Sequence, residues 1–467
     1  MVLSARMFTG FGRVAHGFGR SALLAAARQA VSDAAGSVRA LSGYSLLTGL
    51  GLLLGLVREL TVASTFGLSP QLDVFVAVMT VQLFFGAQVG NALETAFIGR
   101  VASQGSVGTV LRTLRPAVYG VLLVNAGIVL CLSLSGALAL GQLFPRFDSA
   151  QQALASHLLS ALFVPMVCAS TAGLLRGGLV VLGAFVPGFV AGSLVSVCTI
   201  ASVLLFSASL GIDALTLGVA AGNLAVLMLY LGRLASLKRT DTADLPDLPP
   251  AKKRDGWFLL WGAATMVLAG ELVYAGVALT ERSLASGLPA GSIAAFFYAS
   301  TIVSVPLSLF VVPLTAMVFP RMVEAFARDM RAGVAQVRRH GVLLLAASGA
   351  VVMIVSLFAQ PIVETVFLRG RFSIEDARLT ASILAVTIFS LPFISLSRLI
   401  RNSSYSLSDY RTPVMGMSVQ LMTLASAGLL LMPRFGSQGL AVAMVAGEAA
   451  NLMTMGLSLR MRMYRHG

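Results

Sequence analysis

Arg58 and Glu59 stand side by side in the stretch GLVRELTVASTFG (residues 55–67), inside one of the most apolar parts of the chain. A charge near the centre of a bilayer helix costs roughly 2.5–3.5 kcal/mol even on insertion scales, so such groups face a pathway or pair with one another. Around Arg58, the residues Thr48, Gly51, Gly55, Thr61 and Thr65 recur in steps of three and four, which puts them on one helical face. A second stripe runs through Asp73, Ala77, Thr80, Phe84, Gln88, Asn91 and Thr95. A third holds Thr301, Ser304, Ser308 and Thr315, and a fourth segment carries Glu271 with Tyr274 and Ala278. An arginine fork suits phosphate oxygens. Hydroxyls and amides suit a neutral, hydrogen-bonding head group. Unpartnered polar groups in hydrocarbon cost several kcal/mol each, so four striped helices are expected to face one another or water. Arg58 and Glu59 lie about 100° apart on a helix. Arg58 is therefore expected on the cavity stripe, and Glu59 against a neighbouring helix.

Small hydroxyl residues also serve as glue between membrane helices. That role can account for a single Ser or Thr, but it fails for Arg58, Glu59, Glu94, Glu271 and Glu448. Glu94 and Glu271 are the candidates for ion coupling. No catalytic constellation accompanies these residues, and no Gly-rich loop ends in Lys-Ser/Thr, so neither an enzyme nor ATP hydrolysis is expected. The three cysteines (Cys131, Cys168, Cys198) fall in apolar segments and the four histidines are scattered. Neither set has metal-ligand spacing, and no metal or cofactor is expected.

The elements that must position these residues follow from composition. Of 467 residues, 57% are hydrophobic and only 11% charged, with mean hydropathy +0.88. Apolar runs of roughly 20 residues recur along the whole chain, which defines an all-α polytopic membrane protein. We read about twelve transmembrane helices: 43–66, 72–98, 115–143, 152–175, 182–208, 212–234, 256–281, 291–319, 338–359, 376–400, 411–433 and 437–459. The net charge of +14 comes from basic residues between these runs. That placement argues for topology signals and anionic lipid rather than nucleic acid. Most of them fall on one side, which predicts both termini in the cytoplasm. Arg146 and Arg282 are among the few assigned to the outside.

Residues 1–42 form a basic N-terminal tail expected to be cytoplasmic, read as dispensable or as preceding the true start. Residues 43–237 and 256–467 form two six-helix bundles, joined by a polar, proline-containing linker at 238–255. The halves look duplicated. Gly67-Leu68 recurs as Gly287-Leu288 and Thr95-Ala96 as Thr315-Ala316, while Pro165, Arg176 and Pro187 have counterparts in Pro392, Arg401 and Pro413 at nearly the same spacing. Paired repeats with the site between them are a common transporter plan.

The stretch GLVRELTVASTFGLSPQLDVFVAVMTV (55–81) resembles the start of the MurJ/MviN lipid II flippases. FYASTIVSVPLSLFVVPLTAMVFPRM (297–322) is similar to their eighth-helix signature. VFLRGRFSIEDA (366–377) and YSLSDYRTP (405–413) resemble later family segments. The resemblance runs from about residue 43 onward. It implies the V-shaped fold of the MOP exporters, a central cavity lined by helices 1, 2, 7 and 8, and alternating access for an undecaprenyl-diphosphate-linked saccharide. It also implies that Arg58 occupies one of the family's cavity arginine positions and Asp73 its acidic position at the head of helix 2. Leu52, Gly86 and Thr301 stand where the family pattern has arginine. With the cationic set reduced to about one arginine, we expect a flippase for a lipid-linked oligosaccharide of a surface or exopolysaccharide. Arg58 would engage phosphate, and Asp73, Thr80, Gln88, Asn91, Thr301 and Ser304 the head group. The alternatives are a lipid II flippase for peptidoglycan, a non-transporting scaffold of a glycan-assembly complex, and a small-molecule antiporter. The expected partners are membrane lipids and a glycan polymerase or export complex, in the bacterial inner membrane.

Overall fold

The computed structural model describes residues 47–101, 107–240, 255–407 and 409–466. The tail at 1–42 and nearly all of the linker at 238–255 lie outside them. Among the described residues every regular element is helical. The first helix, α1, is Leu47–Phe66. Helix α2 (Pro70–Phe85) opens on Ser69, whose hydroxyl accepts the Leu72 N–H, with Pro70 in the first turn where a missing N–H costs nothing. A break at Gly86 leads into α3 (Ala87–Val101), and the pair makes one apolar span, Pro70–Gly99. Then come α4 (Val107–Leu143), α5 (Ser149–Ala161), α6 (Phe163–Val181), α7 (Val186–Leu210) and α8 (Asp213–Thr240).

The second half runs α9 (Asp255–Ala285), α10 (Ser292–Pro306), a π turn at Leu307–Val311 and α11 (Val312–Arg328). It continues with α12 (Met330–Leu357), α13 (Ala359–Phe367), α14 (Ile374–Thr387), α15 (Ser390–Ser406) and α16 (Arg411–His466). Helix α16 is two helices folded across Gly436, where φ is 57°. Within the described residues each span read from the sequence falls on helix for most of its length, and residues 43–46 of the first lie outside them. The second, fourth and tenth are broken in the middle, and the eighth carries the π turn. Among the described residues nine spans are long and apolar enough to cross a membrane, with α2 and α3 counted as one and α16 as one, and α14 with α15, bent by 45°, makes a tenth.

The two halves repeat the same devices. Helix α5 starts with a capping box from Asp148 and Gln151, and α14 with one from Ser373 and Asp376. The chain breaks after α5 at Leu162 and after α14 at Ile388. The turn from α7 to α8 uses Gly211 (φ 57°, ψ −129°), and the turn inside α16 uses Gly436 (φ 57°, ψ −133°). These pairs keep nearly the spacing that relates Arg176 to Arg401. A side chain rarely adopts such a φ, so both turns need glycine.

Packing explains the overall shape. One apolar core is shared by both halves: Phe66, Leu72 and Phe144 of the first meet Ile293, Phe296, Phe367 and Phe372 of the second. A second core belongs to the first half, around Leu93, Phe97, Leu114, Leu175 and Tyr230. A third belongs to the second half, around Met322, Phe326 and Leu399. The halves share this core at one end and keep their own cores toward the other, where α9 also packs against α3. Outward faces are apolar: Leu123, Leu134 and Leu138 of α4 are 75%, 79% and 74% exposed, as lipid-facing helices require.

Candidate substrate cavity

Between the halves lies a cavity of about 260 Å³ whose wall includes Arg58, Glu59, Thr80, Gln88, Tyr274 and Arg282. Arg58 and Glu59 are paired: the guanidinium Nε and Nη2 donate to Glu59 Oε1 at 3.0 and 2.5 Å. The expectation that Glu59 turns away to a neighbouring helix is therefore corrected. Both side chains are long enough to bend across their angular separation, and pairing spares Glu59, only 6% exposed, the cost of a lone buried charge. Thr80 donates to Val76 O at 2.8 Å, and Gln88 Oε1 accepts from Asn91 Nδ2 at 3.3 Å.

Asp73 does not meet the cavity. Its carboxylate is 4% exposed and accepts the backbone N–H groups of Gly291 at 2.5 Å and Ala294 at 2.7 Å. These are the orphan donors at the start of α10, where a negative charge is favoured. The assignment of Asp73 to the head group is corrected to a helix cap that ties α2 to α10. Asn91 and Glu94 face α6: Arg176 Nε donates to Glu94 Oε2 at 2.8 Å, Nη2 donates to the same oxygen, and Nη2 reaches Asn91 Oδ1 at 3.4 Å. Glu94 is held in an ion pair inside the first half. Thr301 donates to Phe297 O, and Ser304 to Thr301 O. Glu271 lies within electrostatic reach of Arg401.

Ser304 opens instead onto a second cavity, of about 170 Å³, within the second half. Glu281, Thr387, Gln420 and Glu448 also line it. Gln420 Nε2 donates to Glu448 Oε1 at 2.7 Å and Asn451 Nδ2 to Gln420 Oε1 at 3.0 Å. Glu281 faces this cavity and Arg282 the central one, and Arg282 Nη1 donates to Glu281 Oε1 between them. Sequence reading assigned Arg282 to the outside loop and so counted one cavity arginine; there are two. The misreading arose because Arg282 precedes the turn residues of Ser286-Gly287 and looks like a topology charge. Its signal was its place near the counterpart of Arg58 under the repeat.

One end of the central cavity is closed by hydrogen bonds between halves. Besides the Asp73 cap, Arg371 N–H donates to Ser64 O at 2.8 Å, Arg146 Nη1 to Gly287 O at 2.9 Å, and Ser283 Oγ to Leu143 O at 2.5 Å. Gly291 (φ 89°) and Gly370 (φ 59°) permit the close approach, since an added Cβ would stand 2.7 Å from Leu68 O and 2.2 Å from Ser64 O respectively. At the opposite end the contact between halves includes Leu268 of α9 packed against the first half's own apolar core.

A cavity between two duplicated helix bundles, with a mostly apolar wall into which Arg58, Glu59, Gln88 and Arg282 are set, is the plan of a MOP-superfamily transporter, and solved structures agree. An inward closed conformation of lipid II flippase MurJ superposes with TM-score 0.76 at 18% identity, covering 89% of this chain and 87% of that one. An inward-facing multidrug-resistance MATE transporter of the MOP superfamily gives 0.72 at 15% identity, over 89% and 95%. The family described as lipid II flippase MurJ matches residues 62–466, and the chain belongs to that family. A probable lipid II flippase MurJ of Bdellovibrio bacteriovorus is 26% identical over 419 residues, 87% of this chain and 79% of that protein. A lipid II flippase MurJ of Burkholderia cenocepacia is 27% identical over 445 residues, 91% and 84%. The chain is thus a multi-pass bacterial inner-membrane protein of a flippase family, whose relatives handle a lipid-linked substrate.

Proposed function

We propose that this protein flips an undecaprenyl-diphosphate-linked oligosaccharide from the inner to the outer leaflet by alternating access, with both termini cytoplasmic and residues 43–237 and 256–467 as the two moving lobes. The observation that carries this reading is the central cavity, with Arg58 at its wall and hydroxyl and amide groups beside it, closed at one end by a shared apolar core and by hydrogen bonds that cross between halves. Dragging a glycan through bare hydrocarbon strands many hydroxyls at several kcal/mol each. A cavity that carries arginine, hydroxyl and amide groups in its wall and opens to each side in turn lowers that barrier while the lipid tail stays in the bilayer. The closed end is then the periplasmic one, and Asp73, Arg371 and Arg146 hold it shut. The likeness to inward-state structures supports this sense.

Leu52, Gly86 and Thr301 supply no positive charge, which supports a surface-glycan repeat unit as the head group and an assembly polymerase as a downstream partner. The second reading, lipid II itself, is favoured by the family and by the second arginine, Arg282. Deleting the gene tests the choice. Loss of a surface glycan with peptidoglycan synthesis intact supports the first reading. Loss of viability, together with rescue of cells depleted of their own lipid II flippase, overturns it in favour of the second.

A further inference from the structure

Gln88 brings an amide to the wall of the central cavity, and the orientation of that amide is set from behind the wall. Gln88, Asn91 and Glu94 follow one another at intervals of three along α3, so they are neighbours on one side of the helix. Arg176 of α6 approaches them with a guanidinium, a group that has donors and no acceptor. Its Nη2 donates to Glu94 and, at 3.4 Å, to Asn91 Oδ1. The oxygen of Asn91 is thereby taken, and its nitrogen points the other way, where Nδ2 donates to Gln88 Oε1 at 3.3 Å. What remains is Gln88 Nε2, which has no acceptor among the described residues and ends the chain at the cavity.

This chain runs in one sense only. An isolated amide can be turned end for end, because its oxygen and nitrogen fit almost the same space. Turning Asn91 would set its N–H groups against those of Arg176, and turning Gln88 alone would set its N–H groups against those of Asn91. The ion pair with Glu94 holds Arg176 in place, so the cavity meets a donor at Gln88. A ligand group seated there must accept a hydrogen bond; an ammonium group cannot. The surroundings narrow the choice further. Leu83, 41% exposed, and Phe84 lie just before Gln88 and line the same cavity, as does Met79. A carbonyl oxygen with a methyl group beside it suits both the donor and this apolar wall, and a sugar carries that combination as an acetamido substituent. A plain hydroxyl satisfies the donor and brings no apolar surface to bury.

We propose that Gln88 reads an acetamido group on the glycan head, with Asn91 and Arg176 as positioning residues that fix its amide as a donor. This rests on the lipid-linked oligosaccharide reading above.

The test uses the full-length protein in nanodiscs, with binding read by native mass spectrometry. The probes are undecaprenyl diphosphate linked to N-acetylglucosamine, to glucose and to glucosamine. The wild type is expected to bind the acetamido form roughly three- to tenfold more tightly than either of the others. Gln88→Glu keeps an oxygen for Asn91 and turns a second oxygen toward the cavity, so the preference should vanish and glucosamine should gain relative to glucose. Asn91→Asp still accepts from Arg176 but has nothing to donate. Gln88 then turns its nitrogen back to the new carboxylate and shows its oxygen to the cavity, so the preference should be lost although the substituted residue does not touch the ligand. If Asn91→Asp weakens all three probes alike and keeps the preference, its role is structural and the positioning chain is wrong. A wild type without preference, or a preference that survives in folded Gln88→Glu, overturns the reading of Gln88 and leaves the lipid-linked reading standing. If the wild type binds none of the probes, both fall. Should Asn91→Asp fail to fold, Gln88→Glu alone decides.

Discussion

Asp73 and Gly291 belong to opposite halves of the chain, and the carboxylate of the first accepts the backbone N–H of the second at 2.5 Å. With Ala294 N–H at 2.7 Å on its other oxygen, Asp73 caps a helix that it is not part of. The two halves of a transporter that must separate at this end are thus held by a bond that only one of them supplies with charge. The cap adds a charged tie to the apolar core that the two halves share at this end.

Asp73→Asn is expected to loosen that end. The amide can accept only through its one oxygen and carries no charge for the helix terminus, so about 1.5–3 kcal/mol of closure is at stake, roughly a ten- to hundredfold shift toward opening. A cysteine placed beside Gly291 should label faster with a membrane-impermeant thiol reagent in the Asp73→Asn background. Unchanged labelling would remove Asp73 from the gate.

The Glu94–Arg176 pair predicts a stability phenotype. Removing one partner leaves the other charge in a largely apolar bundle. Because the Arg176 side chain is 36% exposed, the cost should be about 1–3 kcal/mol rather than that of a fully buried pair. Arg176→Ala and Glu94→Ala should each lower the melting temperature and membrane abundance, and Glu94→Gln/Arg176→Gln should recover much of the loss. A coupling role for Glu94 would appear instead as normal abundance with lost transport.

Two glycines should respond in opposite ways. A Cβ on Gly173 of α6 would stand 2.5 Å from the backbone of Gly90 in α3, so Gly173→Ala must push two helices apart, at about 1–3 kcal/mol. Gly55 of α1 has nothing within 4 Å of such a Cβ, and Gly55→Ala should leave the stability within about 0.5 kcal/mol of wild type. Thermal unfolding in detergent separates the two.

Asp409, in the turn before α16, should give a pH-dependent contribution. Burial favours its neutral form. The Thr412 hydroxyl and N–H, Arg462 and the Arg411 N–H outweigh that and hold the carboxyl below its ordinary value of 3.8. Arg462 Nη2 lies 2.7 Å away, so the ionised group ties both ends of α16 together. A lowered pKa means that this stabilisation is present above pH 3.8 and is lost as the pH falls through the folded-state value. Asp409→Asn should melt lower than wild type at neutral pH, and the gap should close in strong acid.

The spans, the duplication and the stripes were legible because hydrocarbon leaves helices few options: apolar runs must be helical and polar residues must share a face. Arg58, Thr80 and Gln88 fall on the cavity as their periodicity predicts. Asp73 shares that periodicity but sits at the helix end, where the start of α10 claims it; a stripe fixes azimuth and not depth. Arg282 was read as a topology charge because a basic residue near a span end looks the same whether it points to water or folds back to a buried carboxylate. The Glu281–Arg282 pairing needed the wall between two cavities, which only packing reveals.

Reconstitution tests the central claim most directly. Proteoliposomes carrying the purified protein and a fluorescent undecaprenyl-diphosphate-linked oligosaccharide report translocation as the head group becomes accessible to an impermeant glycosidase or quencher. The account predicts head-group translocation by the wild type and its loss in Arg58→Ala at equal protein content. Translocation by Arg58→Ala at the wild-type rate, or none by the wild type, would contradict it.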